Sequence, residues 1–336
     1  MRLSPHRVFM KIIANNVTTA IEQVTAYDRD PAPYFFDQEV QKLLQILTRP
    51  IPEKVFRPRM NGVNITTPEY RFMTNEELEI ARKESEIKMW DLLQIPPIVK
   101  IREEDIRILS KDPAIQGYTD AKHVFTDITF GVSNKYRLIV VREPNGILRT
   151  VTHTERDRLN QIYFPIPGRE IEMPKMFEEE HLKLILDRED YEFILDRACV
   201  QFNPDNSEYH RVTQRTYDEV NKKQKYDKLR STRHYGSMIF YLAWSKNLNN
   251  LLLENIETGK IEDGALAIKL YYILNVKQKE NLKNNDVDII EDFIKNETNM
   301  NSKLVKALEN YKQISEAREK LQSNIEKIHQ NAEINN

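Results

Sequence analysis

Apolar residues recur at steps of three and four along much of the chain, the spacing that gives a helix one buried face. In the first such stretch, Val40, Leu44 and Leu47 share a face. Pro50 lies directly beyond them, and proline cannot continue a helix interior because it lacks the N–H donor. The pattern therefore predicts a helix over 36–47.

A capping box marks the start of a second helix. Thr74 precedes Glu77 by three residues, so each side chain can accept a hydrogen bond from the other residue's backbone N–H. This predicts a helix to about Leu93, and Pro96 ends it. Both helices belong to an N-terminal helical region over 36–100.

The middle of the chain changes to the alternating pattern of strands. Strand-like stretches lie at 123–130, 136–142 and 147–151, and the turn Pro144-Asn145-Gly146 joins the last two. A capped helix follows the last strand. We therefore expect a small antiparallel sheet with one attached helix over 101–176.

Helical spacing dominates the C-terminal half, as in the face shared by Tyr209 and Val212 within a helical region over 177–276. Residues 277–300 are rich in Asn and Lys and predict a polar linker. Apolar residues over 301–336 predict an amphipathic C-terminal helix and tail, whose stripe needs a cover. This apolar stripe packs either on its own domain or on a partner protein. Neither alternative is favoured, because the polar linker before the helix weakens the case for packing on its own domain.

Taken together, these elements predict an α+β fold class that is predominantly α, with a small antiparallel β-sheet with a hairpin in the middle and a helical C-terminal half. No repeat of fixed period is present, which argues against a recognised repeat array. The remaining segment, 1–35, is interpreted as a mitochondrial targeting segment and a linker that contains Pro31 and Pro33.

The N-terminal stretch has an unusual charge pattern. It carries Arg2, Arg7 and Lys11, and the first acidic residue is Glu22. Apolar residues flanked by these bases are typical of a mitochondrial targeting peptide. A short basic tail that happens to lack acids fits the same composition equally well.

Length and composition narrow the class of protein. The chain has 336 residues, 40% hydrophobic and 30% charged, which is typical of a folded and rather polar protein. Its apolar runs fall well short of the roughly 18 residues of a membrane span. A net charge of −2 leaves nucleic-acid binding to local patches. The single cysteine, Cys199, excludes an internal disulfide and indicates a reducing compartment.

The sequence lacks the common motifs for nucleotide binding and hydrolysis. Glu178 and His181 are three residues apart, as are Glu326 and His329, a spacing found in di-iron carboxylate bundles. Those sites also require a glutamate from each of two further helices, and Glu178 stands in a run of acids that suits a helix start. We therefore expect no catalytic residue, no metal site and no cofactor.

One stretch, between Lys222 and Tyr235, has the composition of a nucleic-acid contact. It contains a single acid, Asp227, among many bases. Its lysines and arginines would contact phosphates, while His234 and two tyrosines lie against bases or sugars. A solvated connector with ordinary lysines is the alternative. The candidate residues for contact with RNA or a partner are Lys222, Lys223, Lys225, Lys228, Arg230 and Arg233.

Two further basic clusters are weaker candidates for the same role. One runs from Arg49 to Arg59. The other surrounds Arg137 and Arg149 and is diluted by acids such as Glu143. Composition alone gives neither cluster a clear advantage over an ordinary solvated surface.

The most specific stretches of the sequence are VFTDI at 124–128 and IVVREPNG at 139–146, and LRSTR follows later at 229–233. Together with shorter stretches they follow in order across residues 36 to about 276. In this respect the chain resembles the family of animal mitochondrial small ribosomal subunit protein number twenty-two. The Asn-rich segment and the terminal helix beyond 277 take no part in the resemblance.

The resemblance implies a structural constituent of the mitochondrial small ribosomal subunit, located in the mitochondrial matrix, that contributes to assembly and stability of the subunit. It implies no enzyme activity and no cofactor, and its partners are small-subunit ribosomal RNA and other small-subunit proteins, without a membrane or a small-molecule substrate. The N-terminal basic segment becomes an import signal. The basic stretch becomes a contact with RNA or an acidic protein.

Two other classes remain open at this stage. One is a non-ribosomal helical protein-interaction module, and the other is an enzyme that uses the Glu-x-x-His pairs. Under the ribosomal interpretation, exchange of Arg230 and Arg233 for glutamate is expected to leave the fold intact and to weaken incorporation into the subunit.

Overall fold

The computed structural model describes residues 29–57, 70–275, 285–298 and 302–334, and the side chains of the last helix as far as Ile325. No helix within these ranges is both long and apolar enough to cross a membrane. The helices are α1 (Ala32–Phe35), α2 (Gln38–Thr48), α3 (Pro52–Val55), α4 (Asn75–Leu92), α5 (His153–Tyr163), α6 (Glu179–Asp187), α7 (Tyr191–Gln201), α8 (Ser207–Lys223), α9 (Arg233–Trp244), α10 (Asn249–Glu257), α11 (Ile261–Asn275), α12 (Asp286–Asn296) and α13 (Ser302–Ile334).

A small antiparallel sheet interrupts the helices, and this confirms the predicted fold class. Its strands are β1 (Ile108–Lys111), β2 (His123–Thr126), β3 (Ile139–Arg142) and β4 (Ile147–Thr150). Their order across the sheet is β1–β4–β3–β2, so β1 and β2 are the edges. The sequence did not predict β1, because its four residues do not alternate between apolar and polar. In the structure all four are exposed.

The chain divides into two compact units. The first comprises Met1–Lys100 with Thr213–Asn336, and the second comprises Ile101–Val212. The second unit extends beyond the predicted sheet region over 101–176. Glu170 N–H donates to Gln201 Oε1 at 3.0 Å, and Gln201 Nε2 donates to the Glu170 carbonyl at 2.9 Å. These bonds tie the connector after α5 to α7.

The buried apolar residues of the sheet lie on one of its two faces. Ile139, Val141 and Val151 are at most 5% exposed and form one cluster, against which Val124 of β2 and Leu159 of α5 pack. The alternation of buried and partly buried residues along β3 follows from the two-residue period of a strand. The attached helix α5 therefore covers the inner face of the sheet.

The β3–β4 hairpin turns at Gly146, as the sequence predicted. This glycine has φ +82°, a conformation that costs other residues energy. A Cβ here would lie 2.0 Å from the Asp112 carbonyl oxygen. The Asp112 N–H donates to the Gly146 carbonyl at 3.0 Å, which brings the end of β1 against the turn.

An arginine joins this hairpin to α5. Arg149 on β4 lies 2.6 Å from Glu143 before the turn and 2.9 Å from Glu155 in the first turn of α5. Glu155 also completes a capping box with Thr152. Its hydrogen bond to Arg149, opposed by desolvation and helped by the Thr152 N–H, lowers the pKa of Glu155 to about 2.

The first unit is organised around α9. Every residue from His234 to Trp244 is buried, and both α2 and α11 pack on this helix. Phe35 and Phe240 meet edge to face with ring centres 5.2 Å apart. A Cβ at position 236 would lie 2.8 Å from Ile95 Cδ1, so a larger residue there would displace the Ile95 side chain of the α4–β1 connector.

Residues 29–35 pack in the first unit and do not form the predicted linker. The guanidinium of Arg29 lies 4.4 Å from the centre of the Trp244 ring, and Phe35 is 1% exposed. Pro31 and Pro33 stand at the start of α1, where proline is tolerated because the first N–H groups of a helix have no intrahelical acceptor. The proposed targeting segment upstream of residue 29 lies outside the described residues.

The prediction of a polar linker over 277–300 is wrong for α12. This helix has a continuous buried face, and Asn285 caps its start by accepting a hydrogen bond from the Val287 N–H at 3.4 Å. Composition alone did not predict this apolar face, because polar residues lie between the apolar ones in the sequence. The buried face consists of Ile289, Ile290, Phe293 and Ile294. Residues 276–284 lie outside the described ranges.

The predicted C-terminal amphipathic helix is α13, and its beginning packs on its own unit. Leu304 and Leu308 are 1% and 5% exposed, on the side where α13 meets α10 and α12. Lys312 Nζ lies 2.6 Å from Glu291 Oε2 of α12. Farther along, Ile314 and Leu321 are 52% and 63% exposed. The first turns of this helix therefore pack on their own unit, and a partner protein as the cover of the later turns stays a prediction.

We predict that Glu155→Gln destabilises the second unit at neutral pH and much less in acid. A carboxylate whose folded pKa is lowered contributes stability above its ordinary pKa, near 4.5, which is lost as the pH falls towards 2. Allowing for screening at this partly exposed site, the loss near pH 7 should be ~1–2 kcal/mol. Glutamine keeps the side-chain oxygen that accepts the capping hydrogen bond. The difference in stability between the two proteins therefore measures the contribution of the negative charge of Glu155.

Hydrogen exchange by mass spectrometry, corrected for intrinsic rates, measures this difference in peptides that span β4 and α5. Exchange should be faster in the variant at pH 7, and the two proteins should converge as the pH approaches 2. An equal difference at both pH values would contradict a role for the Arg149–Glu155 ion pair.

Candidate nucleic-acid interface

The basic stretch lies in the first unit, at the connection between α8 and α9. Lys222 and Lys223 form the last turn of α8. Gln224 then adopts φ +54°, the left-handed conformation that commonly ends a helix. A single 3-10 turn at Tyr226–Lys228 follows, and Ser231, with φ +60°, turns the chain into α9.

The aromatic residues of this stretch point into the protein. Tyr226, His234 and Tyr235 are each at most 1% exposed, and the Tyr226 hydroxyl lies 2.5 Å from Asn221 Oδ1, to which it donates. Burial raises the pKa of both tyrosines. This corrects the expectation that they and His234 lie against RNA bases or sugars, because their ring faces already pack in the core.

Arg230 also points inward, into a cluster of acids. Its Nη1 lies 3.4 Å from Asp263 of α11, and its Nη2 pairs with Glu254 of α10 and donates to Asn255 Oδ1 at 2.9 Å. Its Nε lies 3.1 Å from Asp227 Oδ1, close enough for an ion pair but without the alignment of a hydrogen bond. The side chain is 12% exposed.

A second arginine enters the same cluster from α2. Arg49 Nε donates to Asp263 Oδ1 at 2.6 Å, and its Nη2 lies 2.9 Å from Glu262. Asp263 is 1% exposed, so a buried carboxylate is shared by Arg49 and Arg230. Burial opposes the charge of each guanidinium, yet the carboxylates outweigh it and raise the pKa of both arginines.

The structure contradicts the expectation that charge reversal at Arg230 leaves the fold intact. A glutamate at that position would be placed between Glu254 and Asp263, which are 12% and 1% exposed. Replacing a buried cation by a further negative charge costs several kcal/mol. Arg230 is therefore an internal residue, which argues against a contact with RNA at this position.

The lysines of the stretch are more exposed than Arg230. Lys222, Lys225 and Lys228 are exposed. Lys223 is half-buried and lies 3.1 Å from Glu219 on the preceding turn of α8. Arg233, at the start of α9, is also half-buried, and its Nε lies 3.4 Å from His234 Nε2.

The structure brings the Arg49–Arg59 cluster next to this stretch. Ser231 donates from its N–H to the Thr48 carbonyl at 3.1 Å and from Oγ to the Arg49 carbonyl at 2.7 Å. Lys54 Nζ donates to the Asp227 carbonyl at 2.6 Å. Arg57 is exposed, and Arg59 lies outside the described residues. Two basic segments far apart in sequence therefore form one surface.

The third basic cluster, in the second unit, is structural. Arg137 is 5% exposed, donates to the carbonyls of Asp127 and Val132, and lies 3.7 Å from the centre of the Phe164 ring. Arg156 donates to the Arg137 carbonyl. These arginines organise the loop between β2 and β3 and the start of α5.

The Glu-x-x-His pairs were the residues considered for a metal site. Glu178 and His181 lie 3.8 Å apart, and both side chains are about half exposed. The side chains of Glu326 and His329 lie outside the described residues. Within the described chain, no three His, Cys, Asp or Glu side chains come together in a way that would hold a metal ion.

The acid partners of Arg230 are the residues that sequence reasoning missed. Glu254 and Asp263 lie on two later helices, and nothing in a linear pattern pairs them with Arg230. One signal was available: Asp263 stands between Ile261 and Ala265, within the apolar run of α11. A lone carboxylate on a buried helix face requires a cationic partner.

Fold and surface together define a class of protein: a helical protein with a small sheet unit and a lysine-rich surface held from beneath by buried ion pairs. Comparison with known proteins gives the family. The family described as mitochondrial 28S ribosomal protein S22 matches residues 33–276. The chain belongs to this family.

Two relatives carry the name small ribosomal subunit protein mS22. The mouse (Mus musculus) protein is 34% identical over 287 residues, which cover 84% of this chain and 79% of the relative. The bovine (Bos taurus) protein is 37% identical over 243 residues, which cover 72% of this chain and 67% of the relative. The resemblance read from the sequence is confirmed.

We predict that Arg230→Met destabilises the first unit strongly, whereas Lys228→Met does not. Loss of the guanidinium removes one cation from each of two carboxylates. Glu254 keeps Lys260 at 3.6 Å, and Asp263 keeps Arg49 at 2.6 Å. Breaking a buried pair costs up to ~3–5 kcal/mol. An exposed lysine contributes within about 0.5 kcal/mol. Trp90 and Trp244 both lie in the first unit, so urea unfolding followed by tryptophan fluorescence reports on it.

Lys228→Met serves as the control, since it removes a neighbouring cation of similar size. Equal midpoints for the two variants would mean that the Arg230 network does not stabilise the unit.

Proposed function

We propose that this chain is a structural constituent of the mitochondrial small ribosomal subunit, located in the matrix, and that it contributes to assembly and stability of the subunit and so to mitochondrial translation. Membership of the S22 family carries this proposal. The relatives are named as small ribosomal subunit proteins, and their similarity covers most of the chain. The role is architectural and involves no catalysis.

The proposed RNA contact uses the exposed lysines of the α8–α9 connection. Lys222, Lys225 and Lys228 are exposed on a segment whose inward residues are fully packed. A rigid support keeps the cost of ordering low when the lysines meet a phosphate backbone. Lys54 lies beside the same turn and widens the surface towards Arg57.

A mildly acidic protein suits this role because only part of its surface meets RNA. The net charge of −2 leaves the remaining surface for protein neighbours of the subunit. Lysine contacts of this kind read the phosphate backbone and not the base sequence. Arg233 and Lys223, which are half-buried, would lie at the margin of the contact.

We predict that the tagged protein co-migrates with small-subunit ribosomal RNA when a mitochondrial lysate is sedimented through a sucrose gradient. Co-migration should persist at moderate salt, because an integral protein has neighbours of both kinds. Recovery of the protein only at the top of the gradient would refute the ribosomal role.

We predict that replacing Lys222, Lys225 and Lys228 together by glutamate lowers incorporation into the small subunit several-fold without unfolding the protein. Loss of three phosphate contacts weakens binding and reduces its salt dependence. The matched control replaces three exposed bases on α4, Arg82, Lys83 and Lys88, by glutamate. Equal incorporation of the two variants would exclude the lysines as RNA anchors.

We also propose that the N-terminal basic segment directs import and that any cleavage occurs upstream of Arg29. The packing of Arg29 on Trp244 and the burial of Phe35 support this limit, because a cut beyond them would remove part of the core. N-terminal sequencing of the protein isolated from mitochondria should find a start before residue 29. A mature start beyond Arg29 would contradict it.

A further inference from the structure

The long C-terminal helix α13 changes its surroundings along its length. Its first turns are covered by α10 and α12, where Leu304 and Leu308 are buried. Its later apolar residues have no such cover in the described chain, since Ile314, Leu321 and Ile325 are 52%, 63% and 40% exposed. An apolar stripe that begins in an intramolecular contact therefore continues into solvent.

The stripe has the period of a coiled-coil seam. Its members follow one another at alternating steps of three and four, which is a heptad repeat and keeps one narrow face towards a partner helix. The seam positions are Leu304, Ala307, Tyr311, Ile314, Arg318, Leu321 and Ile325. A single cation, Arg318, thus interrupts an otherwise largely apolar seam.

A groove lies where the covered part of the seam becomes exposed. It has a volume of about 520 Å³ and separates α13 from the end of α10 and the turn at Gly259. Leu253 and Ile256 of α10 line it on one side, and Ile314 lines it on the other. Lysines 303 and 306 and Arg318 also line it, against one acid, Glu257.

The charge of this groove selects among possible occupants. A second copy of the chain would bring the same three cations to the groove and, in a parallel pair in register, would place Arg318 against its own copy. An RNA backbone would match the cations but gain nothing from Leu253, Ile256 and Ile314. An amphipathic helix with an acidic residue in its apolar stripe satisfies both the seam and the charge.

We propose that the exposed seam of α13 and the adjoining groove bind an amphipathic helix of another protein, with a carboxylate opposite Arg318. The partner helix extends the contact that α10 begins, and its apolar residues cover Ile314, Leu321 and Ile325. The Arg318–carboxylate pair fixes the register, since a polar residue at one seam position excludes other alignments. This inference rests on protein–protein packing and is independent of the proposed RNA contact.

Binding of designed peptides to the full chain tests this. The probe is a fluorescein-labelled synthetic peptide of about three heptads, with Leu at the seam positions and one central Glu. A second peptide carries Lys in place of that Glu. Fluorescence anisotropy should show that the Glu peptide binds at least about tenfold more tightly, and Arg318→Glu should reverse this preference.

Two double variants separate the seam from the rest of the helix. Ile314→Ser with Leu321→Ser should abolish binding of the Glu peptide, whereas Gln313→Ser with Lys320→Ser, on the outer face, should leave it unchanged. All four positions are exposed, so urea unfolding of the first unit should be the same in both variants.

Several outcomes would overturn the proposal. The first is that neither peptide binds, or that Arg318→Glu leaves their order unchanged. The second is a concentration-dependent dimer that disappears in the seam variant, which would assign the seam to a second copy. The third is binding of an RNA hairpin that Arg318→Glu abolishes and the seam variant does not affect, which would assign the groove to RNA.

Discussion

The buried pairing of Arg230 with Glu254 and Asp263 is the interaction on which the first unit depends. Arg230 follows the 3-10 turn, Glu254 lies on α10, Asp263 lies on α11, and Arg49 joins from the end of α2. Desolvation of these charges is costly, and only complete pairing compensates for it. The geometry of the cluster therefore restricts where four segments of the chain can lie.

Arginine and lysine have separate roles in this protein. Arg230 in the first unit, and Arg137 and Arg149 in the second, bind internal carboxylates or carbonyls and hold the chain together. Lys225 and Lys228 flank the same turn as Arg230 but are exposed. The planar guanidinium suits several fixed acceptors at once, whereas the ammonium group is strongly hydrated and stays at the surface. A basic run in the sequence thus combines an arginine that stabilises the fold with exposed lysines that we propose as a contact.

Local signals predicted their elements well. The capping boxes at Thr74 and Thr152 and the turn at Gly146 depend on residues a few positions apart, so the sequence contains the whole interaction. The strand β1 lacks such a signal, because its pairing with β4 and the contact of Asp112 with Gly146 join distant segments. The start of α1 was misread because prolines are common to linkers and to first helical turns.

The candidate interface shows the same division between local and distant information. Composition located the basic run, but it could not separate Arg230 from Lys228, since the acids that bury Arg230 come from α10 and α11. Likewise, His234 and Tyr235 resembled a base-stacking pair until α9 proved to be the central buried helix. Whether a polar or aromatic side chain is exposed depends on the tertiary structure. The order of residue types along the chain does not determine it.

Helix α10 connects the two surfaces that we assign to partners. Glu254 and Asn255 hold Arg230 beneath the lysine surface, while Leu253 and Ile256 line the groove beside α13. This one helix of nine residues therefore supports both proposed surfaces, one for phosphate groups and one for an acidic helix. Because both proposed surfaces rest on the same packed unit, that unit would hold RNA and a protein neighbour in a fixed relation. Such a relation is what an architectural subunit of a ribonucleoprotein must provide.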